Sequence, residues 1–195
     1  MKRKTVIYLF LLLSVFLITG CGKKMKTNEK SNEIDNDIKV NNNSVVLYFS
    51  ATGTTKKIAE RIASESNSDI IEIIPKEEYK PEDLNYNSDC RANREQNDSK
   101  ARPEIKNNID ISEYDTIYLG YPIWWGTNPK IILTLLDTYD FTNKTIIPFY
   151  TSGSTGISGS VNDLRKYNNK LNIKDGKRFN INDSDEVIKD FINDN

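Results

Sequence analysis

The segment Val45-Val46-Leu47-Tyr48-Phe49-Ser50-Ala51-Thr52-Gly53-Thr54-Thr55 joins a hydrophobic run to a turn rich in hydroxyl groups. The run 45–49 predicts a central β-strand that is covered on both faces. Downstream, Ile58 and Ile62 share an apolar stripe, which predicts an amphipathic helix. A turn between a strand and a helix offers N–H groups, hydroxyls and the positive end of the helix dipole to one small volume, which suits a phosphate. The simpler interpretation is that the hydroxyls only cap the helix.

The composition excludes several classes of chemistry. The chain of 195 residues has no histidine, so it can have no histidine acid–base catalysis, no Ser-His-Asp triad and no histidine-ligated metal. Cys21 and Cys90 are too few for a metal cluster or a disulfide framework, and we interpret Cys90 as an ordinary surface or half-buried residue. The formal net charge of −1 does not indicate a nucleic-acid-binding domain.

The N-terminal residues predict a signal peptide that ends at a lipidation site. Basic residues open the chain, an almost unbroken apolar run covers 5–18, and small residues precede Cys21. The run is short for a transmembrane helix. Leu17-Ile18-Thr19-Gly20-Cys21 resembles a bacterial lipobox, which implies removal of residues 1–20 and attachment of acyl chains such as palmitate to Cys21. The alternative is an uncleaved signal anchor with an incidental cysteine.

Residues 21–44 predict a flexible tether between this lipidated cysteine and a folded domain. The segment is rich in Lys, Asn, Asp and Glu and poor in apolar residues, so it cannot bury enough surface to offset the entropy of ordering it. We therefore expect a domain at 45–195 that is anchored by lipid to the extracytoplasmic face of the bacterial cell membrane.

Predicted strands and helices alternate along this domain. Further strands are predicted at 69–74, 114–120, 145–150 and, weakly, 171–174. Further helices are predicted around 131–136, 161–167 and 185–193, and residues 76–111 are predicted to form a surface helix and loop. The alternation predicts an α/β fold with a doubly wound sheet of five strands. Such sheets bind ligands outside the carboxyl ends of their strands.

Three of these strand ends carry unusual residues. The first turn lacks the lysine of a Walker P-loop, and no G-x-G-x-x-G fingerprint is present, so we expect a phosphate monoester. The third strand runs into Tyr121-Pro122-Ile123-Trp124-Trp125-Gly126, and an exposed Trp-Trp pair is costly unless a flat ring covers it. The fourth ends in Thr151-Ser152-Gly153-Ser154-Thr155-Gly156, whose small residues let a ligand approach the backbone. A phosphate, a polar chain and a flat ring together describe flavin mononucleotide (FMN).

Each turn also has an ordinary explanation. Tryptophans in a loop often belong to a core or an interface, and turns rich in glycine and serine are often only turns. The coincidence of the three turns at neighbouring strand ends favours the cofactor.

The same motifs resemble the flavodoxin family. Residues 47–55 are similar to its phosphate-binding signature. Residues 120–126, 148–153 and 91–103 resemble a flavodoxin-like branch found in many anaerobic bacteria. The resemblance covers residues 45–193 and implies a flavodoxin-like, doubly wound parallel sheet with the strand order 2-1-3-4-5.

The resemblance also implies roles for individual residues. The FMN phosphate would be held by the hydroxyls of Ser50, Thr52, Thr54 and Thr55 and by the backbone of Gly53. The ring would be lined by Pro122, Ile123, Trp124, Trp125 and Gly126. Contacts to the ring or the ribityl chain would come from Thr151, Ser152, Gly153, Ser154 and Gly156. Ser152 and Ser154 stand where the branch often has a histidine and a glycine, which bears on ring-edge contacts and on the flavin potential.

These features lead to one expected function and two alternatives. We expect a membrane-tethered FMN protein that carries electrons to or from a redox partner protein or a small acceptor, with no metal and no catalytic side chain. The first alternative is an FMN-dependent NAD(P)H:quinone-type reductase. The second is a flavin-free binding module on the same fold.

Overall fold

Helices and strands alternate along the chain in the computed structural model, which describes residues 43–153 and 159–195. The strands are β1 (Ser44–Tyr48), β2 (Asp69–Glu72), β3 (Thr116–Pro122), β4 (Thr145–Thr151), β5 (Asn172–Ile173) and β6 (Lys177–Phe179). The helices are α1 (Thr54–Ser66), α2 (Arg91–Asn97), α3 (Lys130–Thr138), α4 (Gly159–Tyr167) and α5 (Asp185–Asn193), with a 3₁₀ helix at Pro81–Leu84. The predicted signal peptide, Cys21 and nearly all of the tether lie outside the described residues, as do Ser154 and Gly156.

The sheet has the predicted topology. Its strands follow the order β2-β1-β3-β4-β5, and each pair of strands is parallel. β1 begins at Ser44, one residue before the predicted start, and the carbonyl of Asn43 accepts hydrogen bonds from Asp115 and Thr116. The carboxyl ends of β1 and β3 therefore lie side by side at the centre of the sheet, where the chain reverses its direction of winding.

Two short strands, β5 and β6, pair with the same edge of β4, one before and one after Pro148. β5 pairs with the first two residues of β4 and β6 pairs with its last three. The amide of Lys174 donates to the carbonyl of Ile146 at 2.8 Å, so a regular parallel ladder would continue with a bond from the amide of residue 148 to the carbonyl of Lys174. Proline has no amide hydrogen, and the ladder is interrupted there. The prediction of a weak strand at 171–174 was confirmed at its centre, but β6 was missed.

Both faces of the sheet are buried. On β1, Val45 and Leu47 pack into the cluster formed with α2, α3 and α4, whereas Val46 and Tyr48 face α1 and α5. Successive residues of a strand point to opposite faces, so a strand covered on both faces is apolar without interruption. This burial explains the continuous hydrophobic run that precedes the first turn.

The segment 76–111 contains the 3₁₀ helix and α2. Cys90 is the N-cap residue of α2, is 5% exposed, and its Sγ accepts a hydrogen bond from the amide of Asn93 at 3.4 Å. The expectation of a surface or half-buried cysteine was therefore wrong, because Cys90 and Ala92 anchor α2 in the core. Within 43–153 and 159–195, no helix is long and apolar enough to cross a membrane.

Candidate functional site

A cavity of about 500 Å³ opens where the three predicted turns meet, at the carboxyl ends of β1, β3 and β4. Eight residues of its wall were predicted from the sequence: Thr52, Thr54, Pro122, Ile123, Trp124, Thr151, Ser152 and Gly153. The rest of its wall consists of Leu84, Tyr86, Phe179, Asn180 and Ile181. None of these lining residues, all within the described part of the chain, carries a charge. The cavity therefore suits a ligand that is bound by neutral donors and by apolar contact.

The first turn leaves the N-terminus of α1 open. Its N-cap is Gly53, whose φ of 82° lies in the left-handed region that favours glycine, and no side-chain hydrogen bond caps the helix. The first turn of α1 contains no acidic residue, and Lys56 and Lys57 stand there instead. The first N–H groups of a helix lack partners within the helix, and the helix dipole favours an anion at this end. Capping does not account for the hydroxyls of this turn, which favours the phosphate interpretation.

The hydroxyls of the first turn differ in how they are occupied. Ser50 Oγ is buried and has no hydrogen-bond partner among the described residues. Thr52 Oγ1 and Thr54 Oγ1 lie 3.5 Å apart and both residues face the cavity. Thr55 is 1% exposed, and its Oγ1 lies 2.8 Å from Thr151 Oγ1, a bond that joins the first turn to the third. Thr55 is therefore engaged within the protein. Thr52 and Thr54 present their hydroxyls to the cavity, and Ser50 Oγ lies buried beneath it with its hydrogen bond unmade among the described residues.

The two tryptophans have different environments. Trp124 is 4% exposed and makes edge-to-face contacts with Phe49 at 5.6 Å and Tyr79 at 5.0 Å between ring centroids. Trp125 is 40% exposed. The expectation of an exposed Trp-Trp pair was therefore wrong. Trp124 belongs to the hydrophobic core, and it also lines the cavity.

Trp125 is displayed at the tip of a tight hairpin. Trp124 and Thr127 exchange two backbone hydrogen bonds of 3.0 Å, and both tip residues have positive φ, 48° at Trp125 and 83° at Gly126. This resembles a type I′ turn, in which the first tip position is usually Asn, Asp or Gly. A tryptophan there costs roughly 1–2 kcal/mol in backbone strain. Such strain is typical of functional positions rather than of stabilising ones.

Tyr86 covers this tip at the mouth of the cavity. Its ring centroid lies 4.5 Å from that of Trp125, with the two planes tilted by 53°. Tyr86 is 56% exposed, and partial burial raises the pKa of its phenol. Sequence reasoning missed Tyr86, and the only signal was an aromatic residue within the polar stretch Asn85–Asn87.

Arg178 lies behind the third turn. Its Nη2 donates to the carbonyl of Ser152 at 3.2 Å and to Asn180 Oδ1 at 3.0 Å. Its Nε is buried without a partner among the described residues. Arg178, Phe179 and Asn180 were missed with β6, because a three-residue strand that begins Lys-Arg carries no hydrophobic signal.

Several predicted residues do not line the cavity themselves. Ser50, Gly53 and Thr55 form the turn beneath it, and Trp125 and Gly126 form the hairpin tip beside it. Among the residues described, no group of His, Cys, Asp and Glu could hold a metal ion.

Comparison with known proteins identifies the family. The sequence model of the flavodoxin family matches residues 43–195. The chain belongs to the flavodoxin family. A candidate flavoprotein from Bacteroides uniformis is 39% identical, with a TM-score of 0.74 over 77% of this chain and 97% of that one. A candidate flavoprotein from Bacteroides eggerthii is 37% identical, with the same TM-score over 77% of this chain and 95% of its own.

A third similar structure contains the cofactor that the sequence predicts. A flavoprotein from Lactobacillus acidophilus in complex with FMN is 34% identical, with a TM-score of 0.59 over 69% of this chain and 91% of that chain. No curated protein matches the chain. Membership of the flavodoxin family confirms the resemblance drawn from the three turns, all of which lie inside the matched residues.

Proposed function

We propose that this flavodoxin-family chain binds FMN in the cavity and carries electrons outside the cytoplasm while anchored to the membrane by lipid at Cys21. The observation that carries the proposal is the convergence of an uncapped helix N-terminus, an unpaired buried hydroxyl and a neutral, aromatic-walled cavity. Family membership and the FMN complex of the Lactobacillus relative support FMN as the cofactor.

The first turn fits a phosphate monoester. The open N–H groups of α1 and the hydroxyls of Ser50, Thr52 and Thr54 are neutral donors, and the unpaired Ser50 Oγ is the most specific of them. A buried hydroxyl without a partner is unfavourable, so a ligand oxygen that accepts from Ser50 would relieve a defect that the protein alone leaves open.

The rest of the cavity fits a flat ring attached to a polar chain. Pro122, Ile123 and Trp124 form an apolar wall, and Tyr86 with Trp125 supplies aromatic surface at the mouth. Thr151, Ser152 and Asn180 add polar groups to the cavity wall.

Bound flavin supplies reversible electron transfer, and the protein supplies binding, orientation and electrostatics. The wall residues orient the ring, and Arg178 places a positive charge behind the third turn. No acid or base is needed from the protein, in agreement with the absence of histidine.

The cellular location rests on the N-terminal sequence. The lipobox-like Leu17–Cys21 and the polar stretch after it support a lipoprotein, and the family match begins only at residue 43. A domain carried at the end of such a segment would exchange electrons with partners at the membrane surface.

One observation favours the reductase as a second candidate. Tyr86 and Trp125 are exposed at the cavity mouth, where a planar acceptor such as a quinone could stack on them beside the flavin.

The flavin spectrum of the detergent-purified full chain tests the proposal. We expect a yellow protein with flavin absorbance, or a colourless one that takes up added FMN. A colourless protein that rejects FMN would overturn both candidates and leave the flavin-free binding module. Rapid NAD(P)H oxidation with a quinone would favour the reductase, whereas two separate one-electron steps in a redox titration without such turnover would favour the carrier.

A further inference from the structure

Gln96 of α2 spans the base of the hairpin that displays Trp125. Its Nε2 donates to the carbonyls of Trp124 and Asn128, each at 3.2 Å. These two carbonyls flank the tip, so a single amide holds both ends of the hairpin. The partners lie 28 and 32 residues away along the chain, which makes this a tertiary contact.

The contact is made at a cost. Gln96 Oε1 is buried without a hydrogen-bond donor among the described residues. An apolar side chain of the same length, such as methionine, would avoid this unsatisfied group. The interactions of the Gln96 amide are therefore those donated by its Nε2, and both of them go to the hairpin.

A second helix holds the same hairpin from another side. Thr127 Oγ1 donates to Asp163 Oδ2 of α4 at 2.9 Å. The strained φ of 48° at Trp125 thus sits between fixed points supplied by α2 and α4. A strained tip that is held by two helices is preorganised, and preorganisation lowers the entropic cost of binding a ligand.

We propose that Gln96 is a positioning residue that holds the Trp124–Asn128 hairpin in the form that receives the flavin ring. This inference rests on the proposed function and gives the segment 76–111 a role in it. Gln96 acts on the ring through the hairpin, and the first turn binds the phosphate independently.

Comparing FMN with riboflavin, which lacks the phosphate, separates a role at the ring from a role at the phosphate. In the full chain, Gln96→Met is expected to weaken the binding of FMN and of riboflavin by the same factor, about tenfold, since the loss of two neutral hydrogen bonds is of that order. Thr52→Ala is expected to weaken FMN binding but not riboflavin binding, because riboflavin has no phosphate. Arg94→Gln, on the exposed side of α2, is the matched control and is expected to change neither affinity.

A second variant and hydrogen exchange distinguish a loosened hairpin from a general folding defect. Gln96→Glu keeps the shape but turns a carboxylate towards the two carbonyls, so we expect a larger loss of affinity for both flavins than in Gln96→Met. Hydrogen exchange at the amides of Trp124 and Thr127 is expected to accelerate in both variants while the amides of β1 stay protected.

The outcomes are distinguishable. Unchanged flavin affinities in both Gln96 variants, with a wild-type chain that binds riboflavin, would overturn the assignment of Gln96. Weaker binding of FMN alone would also overturn it, since that pattern belongs to the phosphate end. A wild-type chain that binds neither flavin would overturn the proposed function and this assignment together, even where hydrogen exchange shows that Gln96 holds the hairpin.

Discussion

At the scale of single residues, the first turn contains hydroxyls with opposite roles. Ser50 Oγ is buried and unpartnered among the described residues, whereas Thr55 Oγ1 is bonded to Thr151. The sequence grouped both with the phosphate ligands, because hydroxyl residues at neighbouring positions of a turn look alike. What separates them is a contact with a residue 96 positions away, which no local pattern contains.

Ser50→Ala is expected to change stability and binding in opposite directions. An unsatisfied buried hydroxyl costs about 1–3 kcal/mol, so its removal should leave the flavin-free chain as stable as before or more stable. FMN affinity should fall by roughly ten- to a hundredfold, because a hydrogen bond to a charged group is worth roughly 1.5–3 kcal/mol. Urea unfolding and fluorescence titration with FMN measure the two effects.

Thr55→Val is the matched control at the same turn. It keeps the shape but removes the partner of the buried Thr151 hydroxyl, so we expect a loss of about 1–3 kcal/mol in the free energy of unfolding. A Ser50→Ala chain that is less stable yet binds FMN as tightly as the wild type would show that Ser50 serves the fold and not the phosphate.

At the scale of elements, local patterns predicted what local physics determines. β1, β3 and β4 were predicted because a strand buried on both faces is a continuous apolar run. α1 and α3 were predicted because a helix buried on one face carries an apolar stripe. β6 was not predicted, because nothing in its own three residues indicates a strand. It forms because β4 continues beyond Pro148, where its pairing with β5 ends. Leu84 and Tyr86 reach the cavity only through the packing of an irregular segment. The five wall residues that were missed therefore belong to segments whose position depends on long-range packing.

Gly120→Ala tests how closely β3 and β4 fit together. Gly120 lies opposite Phe149 in the ladder, and a Cβ at Gly120 would lie 2.2 Å from Cζ of that ring. Phe149 is fully buried, so its ring cannot move without disturbing Phe179 and the α1–α5 side of the core. We expect overpacking to lower the free energy of unfolding by about 1–3 kcal/mol.

Gly153→Ala is the comparison for stability, because a Cβ there has no heavy atom within 4 Å. Its midpoint of urea unfolding is expected to stay close to that of the wild type. Equal midpoints for Gly120→Ala and the wild type would mean that the β3–β4 contact is looser than the structure shows.

At the scale of the whole molecule, the proposed flavin site and the proposed lipid anchor lie in separate parts of the sequence. Every residue that lines the cavity lies within the family match at 43–195, whereas Cys21 precedes it. Binding of FMN should therefore not depend on lipidation. The anchor is predicted from the N-terminal sequence alone, and it is independent of the prediction of the fold.

Cys21→Ser is expected to separate these two parts in the cell. If Cys21 is the lipidation site, as proposed, the variant should no longer incorporate labelled palmitate, and signal-peptide removal after residue 20 should fail, which mass spectrometry detects. Cys90→Ser is the matched control, because Cys90 is the only other cysteine and serine suits its N-cap position. It should retain the label, and both variants should keep the flavin spectrum. A wild-type chain that takes up no palmitate and keeps its first twenty residues would instead identify the apolar run as an uncleaved anchor, leaving the domain at the membrane by a different attachment.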